Sequence, residues 1–184
     1  VAAAWADELS VVCSAEQDWC DRMVAAFEAE DPDTDVLMVR KSTGETLAQI
    51  RAEAGNPKID VWWGGTGDPH LIAAEEGLTQ ASGVDTSELL GWAQNMAEIS
   101  EGRTVGIYAG ALGIAYNTEI LADKGIAPPE CWADLADPRF EGEIQVANPN
   151  SSGTAYTELA TFVQLFGEDE AMERLAAIGA NVNS

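Results

Sequence analysis

The sequence predicts an α/β protein of two lobes, and three observations carry that prediction. From Leu9 onward, short apolar runs alternate with segments of helical periodicity, the pattern of a parallel sheet covered by helices. Two strand-to-helix junctions, separated by roughly half the chain, are built alike: Arg40-Lys41-Ser42-Thr43-Gly44-Glu45 and Asn148-Pro149-Asn150-Ser151-Ser152-Gly153-Thr154. Between them lies a glycine-punctuated stretch, Val105 to Tyr116, with little room for helix. It fits either a crossover between lobes or an ordinary hairpin within one sheet.

Taken in order, Leu9–Cys13 reads as a buried strand and Asp18–Glu30 as a helix with Trp19, Met23, Val24 and Phe27 on its apolar face. Asp31-Pro32-Asp33 ends that helix. Asp35–Val39 is the second strand, and Glu45–Ala54 a helix with Leu47, Ile50 and Ala54 inward, broken by Gly55-Asn56-Pro57. Ile59–Trp63 is the third strand, followed by Gly64-Gly65-Thr66-Gly67-Asp68 and a short helix through Leu71, Ile72 and Ala74. Residues 79–101 read as irregular. Thr104–Tyr108 and Gly113–Tyr116 read as two extended strands. A helical pattern resumes after Asn117, Pro128-Pro129 interrupts it, and Trp132–Leu135 forms a short helix. Strand Glu143–Ala147 then leads into the second junction. Thr154–Phe166 is amphipathic through Leu159, Phe162, Val163 and Phe166, and Glu168–Ile178 is expected to pack Met172 and Leu175 behind it. The residues after Ile178 read as the start of another strand, so the second lobe is expected to be incomplete. The expected division is 1–6 a signal-peptide remnant, 7–103 a first α/β lobe, 104–116 the crossover or hinge, and 117–184 a second α/β lobe.

The balance of 9 basic against 32 acidic residues, a formal charge of −23, argues against nucleic acid as a partner, because no basic stripe exists to neutralise phosphates. An anionic membrane surface is disfavoured for the same reason. The acidic residues are dispersed and read as a solvated surface, which a salt-rich habitat or selection for solubility would each explain. No apolar run approaches the roughly 18 residues of a membrane span. Ala4-Trp5-Ala6 fits the small-x-small pattern before a signal-peptidase cut, or else a frayed alanine-rich terminus. Cys13 at a strand end and Cys20 in the following first turn lie where a bridge can form, unless all three cysteines are reduced. A bridge and the Ala-x-Ala remnant together favour an exported, oxidising location. Cys131 is expected to be a small buried hydrophobe.

The chemistry resides in three loops. Each junction sets hydroxyls, a glycine and free N–H groups at a helix start, where unpaired N–H groups and partial positive charge suit a small anion; the same residues are also ordinary helix caps. The third loop, Trp62-Trp63-Gly64-Gly65-Thr66, follows a strand at the sheet edge where open α/β folds bind ligands. His70, the one histidine, reads as a surface position beside Asp68. No second histidine or cysteine at ligand spacing supports a metal site. Nucleophile and phosphate-loop signatures are missing, and Glu75-Glu76 splay apart on a helix. Enzymatic chemistry and a cofactor are therefore not expected.

Cys13-Ser14, Asp18-Trp19-Cys20, Arg40 to Glu45, Asp60-Val61-Trp62-Trp63-Gly64-Gly65 and Ala147 to Ala155 resemble the bacterial ABC-transporter solute-binding proteins. The similarity is greatest to the extracellular family that includes ferric-iron, phosphorylated-sugar and phosphonate receptors. The resemblance runs from Leu9 to the end of the chain. It implies a type II periplasmic-binding-protein fold, two α/β lobes closing on a ligand, in a family whose members are longer, so that the chain is expected to stop within the second lobe. It implies that Ser42, Thr43 and Gly44 belong to a first-lobe anion loop, Gly65 and Thr66 to a second loop, and Asn150, Ser151, Ser152, Gly153 and Thr154 to a second-lobe helix start. The implied ligand is a small anionic solute such as an organophosphate, phosphonate or carboxylate, or alternatively a ferric ion, with ABC permease subunits as partners and a periplasmic or secreted location. The tyrosine pair of the ferric members would fall beyond Ser184. An enzyme on the same two-lobed fold is the alternative from another class.

Overall fold

The computed structural model describes residues 7–183. The Ala4-Trp5-Ala6 signal-peptide reading lies outside the described residues. The chain divides into two compact units, one running to Ala109 and one starting at Gly110.

The first unit is built on a parallel sheet of β1 (Asp7–Cys13), β2 (Thr34–Arg40) and β3 (Val61–Trp63) in the order β2-β1-β3. The register sets Cys13 opposite both Arg40 and Trp63, so the three strands end level with one another. The central strand carries the burial, with Val11, Val12 and Cys13 nearly inaccessible. In the edge strand β2, Val36 and Met38 turn inward while Leu37 and Val39 are exposed, the period-2 pattern of a half-covered strand.

Three helices pack around this sheet: α1 (Gln17–Glu30), α2 (Thr43–Ala52) and α3 (Gly67–Glu75). A disulfide joins Cys13 at the end of β1 to Cys20 in α1, with Cα atoms 6.0 Å apart and both residues fully buried. It turns the Cys20 side of α1 inward. The face expected from periodicity is displaced accordingly: Met23 and Val24 are half-buried, and Trp19 and Phe27 are exposed. In α2 the buried residues are Thr43, Thr46 and Leu47, whereas Ala54 is exposed beyond the helix end. Arg51 of α2 pairs with Glu76 at the end of α3 (Nε–Oε2 2.8 Å, Nη2–Oε1 2.5 Å).

Two expectations for residues 79–116 are corrected. Gly91–Ile99 forms helix α4 inside the stretch read as irregular. Its inward stripe is Ala93 and Ala97 with Met96, too small in side-chain volume to stand out as an apolar period. Thr104–Tyr108 and Gly113–Tyr116 are not strands, since neither finds a ladder partner. Gly106 instead lies against the Trp92 ring and the Ala93 backbone, where a β-carbon has no room.

The second unit opens with α5 (Thr118–Lys124). Asn117 caps it, its Oδ1 accepting from the Glu119 and Ile120 N–H groups at 3.0 Å, and Gly125 ends it with φ 67°. Two 3₁₀ turns, Trp132–Ala136 and Pro138–Phe140, precede α6 (Gly153–Phe166) and α7 (Glu168–Gly179). Leu135, Phe162, Ala171 and Ile178 form the core, flanked by Trp132, Ile144, Val163, Phe166 and Leu175. Met172 is not part of it: the inward stripe of α7 is Ala171 and Ile178, and Met172 is exposed. The strand expected at Glu143–Ala147 is reduced to one parallel bridge, Ile144 to Val182. Buried Asn181 holds that end of the chain by donating from Nδ2 to the carbonyls of Leu135 (2.8 Å) and Asp137 (2.9 Å). Cys131 is an exposed free thiol, not a buried one. It occupies the N-cap of the first 3₁₀ turn, which directs its side chain to that turn and away from the core. No helix among the described residues is long and apolar enough to cross a membrane.

Candidate functional site at the carboxyl edge of the sheet

Because the three strands end level, the loops that follow them emerge side by side: Ser14 after β1, Lys41 and Ser42 after β2, Gly64 and Gly65 after β3. Backbone bonds tie the loops together, Ser14 N–H to Trp63 O at 2.8 Å and Lys41 N–H to Cys13 O at 3.0 Å. A chain of side-chain bonds runs across them. Trp62 Nε1–H donates to Ser14 Oγ at 2.9 Å, Ser14 Oγ lies 3.1 Å from Thr46 Oγ1, and Thr46 Oγ1 donates to Ser42 O at 2.9 Å. A hydroxyl has one proton to give. Thr46 gives its proton to Ser42 O, so Ser14 must donate to Thr46, and the chain has one direction from β3 to the start of α2.

Thr43, the first residue of α2, is 3% exposed and meets the third loop. Gly65 has φ 94°, and a β-carbon there would stand 2.6 Å from Thr43 Oγ1 and 3.0 Å from Ser14 Cβ. Glycine is required at Gly65 on both counts. Gly64 is also left-handed, φ 77°. Thr66 is the N-cap of α3, and its Oγ1 is buried without a hydrogen-bond partner, which leaves a polar atom to be satisfied. Gly44 lies half-buried in the first turn of α2. The first-unit positions singled out in the sequence, Ser42, Thr43, Gly44, Gly65 and Thr66, thus gather at one edge.

Ser42 already has an acidic partner. The Glu45 carboxylate accepts from Ser42 N–H at 3.1 Å and from Ser42 Oγ. These bonds hold the Glu45 carboxyl below the usual carboxylate range, with Lys41 and Arg40 adding attraction. The two cations are themselves committed, Lys41 Nζ to Gln49 Oε1 at 2.5 Å and Arg40 Nε to Ala15 O at 3.1 Å. Gly65 also has a partner: its N–H donates to the Tyr108 hydroxyl at 2.8 Å, and that hydroxyl donates to Gly65 O at 2.9 Å. The Tyr108 ring lies 4.8 Å from that of Trp19, which in turn meets Trp63 edge-on at 5.1 Å.

His70 is half-buried, not the surface residue its position beside Asp68 implies. Its ring stacks on Trp62 at 3.7 Å, and Nε2 lies 2.8 Å from Gly64 O. A carbonyl only accepts, so Nε2 carries the proton. Burial pushes the His70 pKa down, partly offset by the Gly64 bond. The residue braces the glycine loop.

In the second unit, Asn148 organises the start of α6. Its Oδ1 accepts from Asn150 N–H at 2.9 Å and Asn150 Nδ2 at 3.1 Å, and its carbonyl accepts from Ser151 and Ser152 N–H at 3.1 and 2.8 Å. Ser151 Oγ donates to the same carbonyl at 3.2 Å, and Ser152 Oγ accepts from Ala155 N–H at 3.3 Å. Gly153 is buried and Thr154 exposed. Among the described residues no cluster of three or more His, Cys, Asp or Glu side chains is placed to hold a metal ion. Ser14, Thr46 and Tyr108 were not singled out as site residues. Ser14 had one available signal, as the first residue past the central strand.

The chain has known relatives. The chain is 44% identical over 177 residues to an uncharacterized protein of Haemophilus influenzae, a match covering 95% of this chain and 51% of that protein. Among solved structures it superposes on the periplasmic binding protein P5PA with a TM-score of 0.92 at 35% identity, covering 97% of this chain and 57% of that one. It superposes on the periplasmic binding protein AfuA of Actinobacillus pleuropneumoniae, solved with fructose-6-phosphate bound, with a TM-score of 0.91 at 40% identity, covering 97% and 56%. Iron-bound HitA of Pseudomonas aeruginosa shares the fold at 22% identity and a TM-score of 0.70, over 95% of this chain and 54% of that one. The chain therefore has the type II periplasmic-binding-protein architecture and spans about half the length of the relatives it matches. Residues 73–184, more than half of it, match the bacterial extracellular solute-binding proteins, and the chain belongs to that family.

Proposed function

We propose that the protein is an exported receptor that captures a small anionic solute, an organophosphate, phosphonate or carboxylate, between two lobes and delivers it to an ABC permease. The observation that carries the reading is the convergence of Thr43 and Gly65 at the level ends of three parallel strands, with the orphan hydroxyl of Thr66 in the same loop. Hydroxyls and backbone N–H groups bind oxyanions without a formal positive charge. The ligand-binding set is Ser42, Thr43, Gly44, Gly65 and Thr66 with Asn150, Ser151, Ser152, Gly153 and Thr154. The Ser42 N–H and hydroxyl are held by the Glu45 carboxylate, so a ligand anion takes them only by displacing it. Support for a phosphorylated ligand over ferric iron comes from the 40% identity to a protein solved with fructose-6-phosphate, against 22% to an iron-bound one. Binding is favoured over catalysis because His70 is held by Gly64 and Trp62 and braces a loop.

The test is calorimetric titration of the full-length protein with fructose 6-phosphate, other sugar phosphates, phosphonates and ferric salts. For the anion that binds, Ser42→Ala combined with Ser152→Ala removes two charge-assisted hydrogen bonds and weakens affinity by about 2–3 kcal/mol, roughly 30- to 150-fold. Unchanged affinity in the double variant rejects the two-junction site. Tight ferric binding with no response to any anion replaces the reading.

A further inference from the structure

Both polar groups of the Gly65 peptide are held by a single side chain from 43 residues away, the Tyr108 hydroxyl. The loop does not depend on that bond for its shape. Gly64 O is separately held by His70, Trp63 O by the Ser14 N–H, and Gly65 is wedged against Thr43 and Ser14. Tyr108 is 36% exposed, so water can replace its hydroxyl on either group at little cost. What the hydroxyl does occupy is an acceptor position 2.8 Å from the Gly65 N–H, in the loop that packs against Thr43. An oxygen of a bound oxyanion that uses the Gly65 N–H must sit there. A phenol oxygen is a neutral acceptor, and a charged oxygen makes a bond about twice as strong to the same donor.

We propose that the Tyr108 hydroxyl is an internal placeholder for a ligand oxygen, displaced from the Gly65 N–H when the anion binds. The inference rests on the anion-capture reading and adds a residue that sets the affinity. Displacement breaks the two hydrogen bonds of Tyr108 and leaves its ring against Trp19, which itself leans on Trp63. Tyr108 is the next-to-last residue of the first unit. Its release therefore loosens the segment by which the chain leaves that unit, and ligand occupancy is transmitted to that segment.

The experiment is titration of full-length wild type and Tyr108→Phe with fructose 6-phosphate, with the tyrosine ultraviolet difference spectrum recorded at saturation. The phenylalanine keeps the ring against Trp19 and removes only the competing oxygen. The variant is expected to bind about two- to tenfold more tightly: the ligand oxygen replaces the bond from Gly65 N–H, so the net loss spared is the single bond from the Tyr108 hydroxyl to Gly65 O. Wild type is expected to show a tyrosine difference signal on saturation that the variant lacks. Equal or weaker binding by the variant, or a wild-type spectrum without a tyrosine change, overturns the placeholder while leaving anion capture standing. If neither protein binds, anion capture fails and the placeholder fails with it.

Discussion

Replacing Gly65 by alanine tests whether the first and third loops meet as closely as the structure shows. Two costs are involved and can be measured apart. The first is backbone: a non-glycine residue in the left-handed region costs about 1–2 kcal/mol. Gly77 isolates it, since it has φ 69° and nothing within 4 Å of an added β-carbon. The second is crowding. At Gly65 the new carbon would lie 2.6 Å from Thr43 Oγ1, 3.0 Å from Ser14 Cβ and 3.1 Å from Thr43 Cγ2, and overpacking of that kind costs about 1–3 kcal/mol. Gly77→Ala is therefore expected to destabilise by about 1–2 kcal/mol and Gly65→Ala by about 2–5 kcal/mol. Thr43→Ala deletes two of the three crowding atoms. In the double variant about 1–2 kcal/mol of the Gly65→Ala penalty should be recovered, a coupling energy well above the scatter of independent sites. Urea unfolding followed by tryptophan fluorescence reads wild type and the four variants, provided the slope with denaturant stays constant. The reasoning is refuted if Gly65→Ala costs no more than Gly77→Ala, or if the cycle with Thr43→Ala shows no coupling.

Two further outcomes are expected. Removing the Cys13–Cys20 bridge as a double alanine variant should lower stability by about 2.5 kcal/mol, the chain-entropy value for so short a loop; reductant should shift the wild-type urea midpoint equally, and a midpoint unmoved by either treatment contradicts the bridge. His70 should make stability fall on mild acidification. Its folded-state pKa lies below the unfolded value of about 6.5, so the unfolded chain binds the extra proton first, and stability is intact above that value and declines below it. Glu45 and Glu76, whose pKa values are also held down, act only around and below their ordinary 4.5. Thermal melts between about pH 7 and 5 should thus flatten in His70→Gln relative to wild type; parallel slopes would remove His70 from the account.

The first unit was largely legible because each strand is an apolar run and each helix is closed by proline or glycine, as at Asp31-Pro32-Asp33 and Gly55-Asn56-Pro57. Legibility failed where side-chain size or partnership decides. An alanine stripe such as Ala93 and Ala97 buries a helix face with too little apolar volume to register as a period. Conversely Val105-Gly106-Ile107-Tyr108 has strand composition but no neighbouring strand to bond. The outward turn of Trp19 and Phe27 follows from a disulfide that fixes which side of α1 faces the sheet. The loops of the candidate site were visible as helix starts, since cap residues announce themselves locally. The links between them were not. Ser14 meets Thr46 from 32 residues away and Trp62 from 48, and such pairings leave no mark on local sequence.

Those long-range links decide which atoms remain to bind anything. The one-way chain from Trp62 through Ser14 and Thr46 to Ser42 O spends the Ser14 and Thr46 protons within the protein. Arg40 and Lys41 each donate one hydrogen bond to a neutral acceptor, Ala15 O and Gln49 Oε1, and keep their charge. The donors the edge offers at contact distance are mostly neutral: the Gly65 peptide, the hydroxyls of Thr43 and Thr66, and the N–H groups opening α2. In a chain of net charge −23 this is a workable way to hold an anion. Charges more than about 8–10 Å from the site are largely screened at physiological salt, whereas short N–H and O–H dipoles fixed by the fold act at contact distance. Selectivity would then follow from shape and from the directions in which those few donors point, with Arg40 and Lys41 adding an attraction common to every anion.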